Sequence, residues 1–119
     1  MNASISEGTS TEIMDKYVGH FVETTKKEGN IGLIAHNRGY PVNYFARLKE
    51  LVKGDKIKYT CDNFIKEYVV EEVGIIKNTD WSLLEPRNKN ILTLITCVEN
   101  EPEYRRYVQA KEYIKKGMP

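Results

Sequence analysis

The sequence predicts a mainly-β domain, a closed or nearly closed β-barrel with one or two short helices. Three observations carry that expectation. Short strand-like runs recur at regular spacing from about residue 19 to residue 111. Two of them, 56–60 and 64–70, alternate polar and apolar residues on either side of Cys61-Asp62-Asn63, the pattern of a hairpin. Two others, 31–36 and 91–96, are nearly continuous apolar runs, as strands buried on both faces are.

Each element has its own local signal. Residues 1–8 are small and polar, a frayed end. Ser10 or Thr11 is placed to cap a short helix over 12–15, with an acidic residue following in the manner of a capping box. Residues 19–24 read as a strand and 26–30 as a turn carrying Gly29, and the buried strand 31–36 ends at His36. Tyr44, Phe45, Leu48 and Leu51 have helical spacing and predict a short amphipathic helix over 44–51. Lys53-Gly54-Asp55 is a turn into the hairpin. Its second strand continues through 71–76, with Gly74 marking a bulge or bend. Residues 78–90, with Trp81 and Pro86, form a loop with room for a helical turn. The apolar run 91–96 leads into Cys97, 106–111 is the last strand, and 115–119 is a tail. No internal repeat or low-complexity segment interrupts this order, so 1–119 reads as a single domain.

Composition narrows the function. A chain of 119 residues with 40% hydrophobic content supports one domain with a true core. Eighteen Lys plus Arg against 17 Asp plus Glu leave a net charge of +1. Such a chain has no long-range field to draw in nucleic acid or an anionic membrane, and no basic run interleaves with aromatics. No stretch approaches the ~20 apolar residues of a membrane helix, and no charged-then-apolar leader opens the chain. Two cysteines and two histidines offer no CxxC or HxxxH spacing, so neither metal nor cofactor is expected.

The chemistry-bearing residues are His36, Cys97 and Arg105. A thiol closing one strand, an imidazole closing another and a guanidinium on the next strand supply a nucleophile, an acid/base and an oxyanion stabiliser. The order His, Cys, Arg departs from the papain-like order, in which Cys precedes His. Each residue also has a bland reading. A lone cysteine after an apolar run is more often core filler, and a lone histidine is more often a hydrogen-bonded structural one. Cys61, in Lys58-Tyr59-Thr60-Cys61-Asp62, reads as a strand-end residue without chemistry.

Taken with their flanks these residues resemble the sortases, cysteine transpeptidases of Gram-positive cell surfaces. The resemblance covers roughly 6–113 and rests on an ordered series. Val18-Gly19-His20 is similar to the family's "GVGH" signature, and Ile34-Ala35-His36-Asn37 to its "AGH" region. Tyr44-Phe45-Ala46-Arg47-Leu48 is similar to "FF..L", Lys53-Gly54-Asp55-Lys56-Ile57 to the "KGDKI" turn, and Thr93-Leu94-Ile95-Thr96-Cys97 to TLxTC. Departures are Ala35 where the family has Gly, Glu28 in place of the Pro of a "PG" turn, and a first strand reduced to Ala3-Ser4-Ile5 or missing. The resemblance implies an N-terminal anchor outside this chain.

The resemblance also implies a sortase-type barrel and a reaction. Cys97 attacks the Thr carbonyl of an LPxTG-like sorting signal of a secreted surface protein. His36 moves the protons, and Arg105 steadies the oxyanion or the signal backbone. The acyl group passes to an amine of a cell-wall precursor or a pilin lysine, at the outer face of the membrane. Ala35 and Thr96 beside the catalytic pair, with Trp81 and Leu84 of the 78–90 loop, are then substrate-binding candidates. For Trp81 and Leu84, packing of the loop onto the barrel is an equal alternative. That loop is too short for a class B insertion, so class A, D or E is the closest fit. His20 is expected to be structural. Alternation puts Arg105, Tyr107 and Gln109 on one strand face and Arg106, Val108 and Ala110 on the other. Val108 and Ala110 are the better core residues. Arg105 is therefore expected over the groove beside Cys97, and Arg106 at the rim with its charge in solvent. Readings outside this one are a cysteine peptidase that only hydrolyses and a non-enzymatic β-barrel interaction module.

Overall fold

The computed structural model describes residues 3–37 and 43–114. In chain order the elements are β1 (Ile5–Glu7), α1 (Thr11–Met14), β2 (Val18–His20), β3 (Asn30–Ile34), β4 (Lys56–Cys61), β5 (Phe64–Lys77), β6 (Ile91–Val98) and β7 (Glu101–Glu112). Two 3-10 helices, Leu48–Glu50 and Ser82–Leu84, interrupt the loops. The strands form one sheet in the order β1-β2-β3-β6-β7-β5-β4, curled into a half-barrel. The expected barrel-type, mainly-β architecture is present, with β1 and β4 as its two edges rather than a hydrogen-bonded closing pair. Pairs β1–β2 and β3–β6 are parallel and the others antiparallel. No helix among the described residues is long and apolar enough to cross a membrane.

Local chemistry explains where elements begin and end. Ser10 caps α1, its Oγ accepting from the Ile13 amide at 3.3 Å. The strand expected over 19–24 stops at His20. Thr24 turns the chain back, its amide and its hydroxyl both donating to the Phe21 carbonyl, at 2.9 and 2.8 Å. The helix expected over 44–51 is a run of turns ending in a 3-10 helix. Its apolar residues Phe45, Leu48 and Leu51 recur every three residues, the 3-10 period, and Leu48 and Leu51 each donate to the carbonyl three residues earlier. The β4–β5 hairpin forms as expected around Asp62, whose φ of 53° an aspartate tolerates. The bulge in β5 lies between Val70 and Glu72, not at Gly74. Gly74 is instead a close-approach site, where an added Cβ would come within 2.8 Å of the Tyr107 hydroxyl.

Strand alternation sorts the core into two faces. Inward from β3, β6 and β7 come Ile31, Leu33, Leu92, Leu94, Val108 and Ala110, packed with Tyr59, Tyr68 and Val70 and plugged by Phe45 and Leu48. On the outer face Ile95 and Tyr107 form a second cluster with Phe21, flanked by Ile34, Ile76, Leu83 and Leu84. The outer cluster is the floor on which the 78–90 loop rests. Asn30 Nδ2 donates to the carbonyls of Leu83 and Glu85 at 2.7 and 2.9 Å, and Gln109 Nε2 reaches Leu83 at 3.3 Å. Thr93 completes the network, donating to Asn30 Oδ1 and accepting from Gln109. These buried polar groups are satisfied by one another and by loop backbone, so they set the loop's height above the sheet.

Candidate active site

Strands β3 and β6 run parallel in register from Asn30↔Ile91 to Ile34↔Ile95. That register carries on past the end of β3. The Ala35 amide donates to Ile95 at 3.3 Å, Thr96 Oγ1 donates to the Ala35 carbonyl at 2.7 Å, and Asn37 Nδ2 donates to the Cys97 carbonyl at 2.8 Å. His36 lies between two of these tethers, at the level of Cys97. Ile34 and Ile95 pack on the outer face, so two residues further on His36 and Cys97 come to that same face. Cys97 is a free, exposed thiol near the end of a strand whose other residues are buried. His36 is buried, with its Nε2 3.4 Å from Asp15 Oδ1.

Two arginines flank the thiol from different sides. Alternation holds along β7, and Arg105 stands directly across from Cys97 while Arg106 stands across from Thr96. Arg105 Nη1 donates to the carbonyls of Pro102 and Tyr104, each at 2.9 Å, which leaves its Nε and Nη2 donors unspent among the described residues. Arg106 is half-buried and lines, with Cys97, a cavity of about 270 Å³ whose wall includes Asn37, Phe45 and Lys49. Among the described residues Arg106 makes no hydrogen bond or ion pair, which leaves its donors unspent. Lys49 is paired with Glu99 at 3.7 Å across the same cavity.

The remaining candidates separate cleanly. Ala35 faces the inner core at 3% exposure, and Thr96, which borders the cavity at 1%, spends its hydroxyl on Ala35. Together they clamp the two strand ends. Trp81 is 60% exposed and stands edge-on to Phe21, centroids 6.2 Å apart. With Leu84, Thr9, Glu23 and Glu85 these two rings line a pocket of about 400 Å³. Leu84 also packs down on the sheet, where a Cβ at Gly32 would meet its Cδ2 at 2.7 Å. Beneath the loop, the hydrogen bond Tyr107 makes to Glu72, together with burial, pushes its hydroxyl up to about 12 and keeps it a donor.

His20 lies in a different environment. It is buried, with Nδ1 against the Glu7 carboxylate and Nε2 2.7 Å from the Thr25 carbonyl, so it ties β1, β2 and the following loop together. Cys61 is a free thiol at the far edge of the sheet. The sequence reading did not single out Asp15 or Asn37. Asn37 had a usable signal, an amide side chain immediately after His36. Asp15 had none, since its approach to His36 depends on how α1 packs.

Comparisons with known proteins bear on the fold and the family. The Sortase domain family model matches residues 1–113. Sortase A of Bacillus anthracis is 36% identical over 88 residues, 73% of this chain and 41% of that protein. A pilus-related sortase C of Group B Streptococcus superposes with a TM-score of 0.85 at 26% identity, covering 95% of this chain and 61% of that one. A Clostridium perfringens sortase D5 transpeptidase does so with 0.81 at 27%, covering 92% and 70%. The chain thus spans under half the length of that curated relative.

Proposed function

The chain belongs to the sortase family, and from that premise we propose that it carries the catalytic machinery of a cysteine transpeptidase acting on LPxTG-like sorting signals. The observation that carries the proposal is the clamp of Ala35, Thr96 and Asn37, which aligns His36 and Cys97 at neighbouring strand ends. Cys97 as thiolate attacks the carbonyl carbon of the signal's Thr, forming a C–S bond. The tetrahedral oxyanion then collapses as the Thr–Gly C–N bond breaks, and imidazolium His36 gives its proton to the departing amine. In the second half an amine attacks the thioester, the C–S bond breaks, His36 takes up the proton, and the thiolate is regenerated.

For the oxyanion the register favours Arg105. It stands directly across from Cys97, its Nη1 bonds steady the guanidinium while Nε and Nη2 keep donors to give, and a forked, permanently charged donor suits the task. The Trp81–Leu84 pocket is a fitting seat for the apolar end of the signal. The acceptor is an amine of a cell-wall precursor or a pilin lysine, and the setting is the cell-wall side of the membrane with the whole protein anchored there. The relatives named as pilus-related and as a transpeptidase support transfer to an amine acceptor. The test is mass spectrometry of wild type and Cys97→Ala with a panel of sorting-signal peptides, with and without an amine acceptor. A thioacyl adduct on Cys97 that an added amine converts to ligated product is the expected result. Adduct-free cleavage, or cleavage by Cys97→Ala, would overturn the proposal.

A further inference from the structure

One carboxylate beside the site has no part in the reaction just described. Asp15 caps the C-terminal end of α1, with its amide donating to Thr11 at 2.9 Å and the next two amides, of Lys16 and Tyr17, donating to Ile13. A carboxylate at that end of a helix gains nothing from the helix itself, whose C-terminus favours cations. Its two oxygens differ in what they meet. The side chain is 41% exposed, yet Oδ1 is shut off from solvent and faces His36 Nε2 at 3.4 Å, an ion-pair distance longer than a formed hydrogen bond. The Tyr44 hydroxyl donates to Lys16 at 3.3 Å and pins the segment that carries Asp15.

We infer that Asp15 is a positioning residue for His36, an inference that rests on the proposed roles of His36 and Cys97. By accepting from Nε2–H it holds the ring's orientation and fixes the tautomer, so that Nδ1 is the nitrogen that gives and takes protons. The third group that orients the base in other nucleophilic enzymes works in the same way. Apo contacts of this kind are often long and tighten when substrate shuts out water. The carboxylate acts through the imidazole.

The test uses a substrate-free and a catalytic readout on the same protein. With only two histidines in the chain, long-range ¹⁵N–¹H NMR resolves both rings, assigned with His20→Gln. In wild type the neutral His36 ring is expected as the Nε2–H tautomer, and in Asp15→Ala that preference is expected to be lost. Cleavage of an LPxTG-type fluorogenic peptide should show kcat lower by about 10- to 100-fold in Asp15→Ala, no more than the lower end of the ~10²–10⁴ that positioned proton transfer supplies. KM should stay near wild type and Asp15→Glu should recover most of the loss. A wild-type Nδ1–H tautomer overturns the inference without any variant. So does an Asp15→Ala protein with unchanged kcat, or an Asp15→Glu protein no better than Asp15→Ala. Activity in Cys97→Ala would instead sink the underlying reaction, while the tautomer measurement would still stand or fall by itself.

Discussion

Replacing Arg105 by Ala should cripple turnover while replacing Arg106 should not, and the structure sets the sizes. Removing one preorganised oxyanion donor costs ~10²–10³ in rate, about 2.7–4 kcal/mol. Arg105 stands directly across from Cys97. Its Nη1 bonds to two carbonyls, at 2.9 Å each, hold the guanidinium in place while Nε and Nη2 keep their donors, so its loss should take that whole amount. Arg106 stands across from Thr96, on the opposite strand face. Arg106→Ala is therefore expected within about threefold of wild type, the scale of a surface substitution worth ~0.5 kcal/mol. Arg105→Lys should recover little, because an ammonium lacks the fork. The assay is kcat/KM for cleavage of a fluorogenic sorting peptide, with thermal melts to show that each variant is folded. A folded Arg105→Ala enzyme within tenfold of wild type, beside an Arg106→Ala enzyme down by ~10² or more, would refute the reasoning. The role would then pass to Arg106, which lines the Cys97 cavity.

The two histidines should part company in the same assay: His36→Ala abolishes transpeptidation with little change in melting temperature, whereas His20→Ala lowers stability first. His20 loses its contacts to Glu7 and the Thr25 carbonyl, so an active, fully stable His20→Ala enzyme would contradict its structural role. In the loop, Trp81→Ala should raise KM with stability within ~0.5 kcal/mol, as for other exposed positions. Leu84→Ala, half-buried over Gly32, should cost about 1–3 kcal/mol, below the ~2–5 of a fully buried leucine. Reversed effects at these two positions would exchange their roles. Hydrogen bonds from Lys66 and Asn90 hold the Glu112 carboxyl below its ordinary 4.5. The stability it contributes is therefore full above that value and is lost as pH falls through the lowered one. Melts of wild type and Glu112→Gln should differ at pH 7 and converge in acid below 4.5, and a gap that widens in acid would show the sign to be wrong.

Much of the fold was legible because its signals are local or strictly periodic. The Ser10 cap, the Asp62 hairpin and the apolar strands β3 and β6 depend on neighbours within a few residues. The misreadings occurred where a distant contact chose between local options. Gly74 suggested a bulge, but it is small because Tyr107 crosses it from β7. Residues 19–24 had strand propensity, but Thr24 spends its hydroxyl on turning the chain and on the Gly32 amide at 3.0 Å. At the site, residue types named the thiol, the imidazole and a pair of arginines, and alternation assigned the arginines correctly to opposite faces. Alternation could not say how either guanidinium is held. Arg105 reaches back along the start of β7 to the Pro102 carbonyl, a contact that the pattern of faces does not encode. Asp15 lay beyond any pattern, because nothing in a four-residue helix reveals which later strand end its carboxylate will meet. Arg105 and Asp15 act in different ways. A guanidinium steadied through Nη1 keeps its other donors for an oxyanion, whereas a carboxylate with one oxygen enclosed against an imidazole acts through that ring.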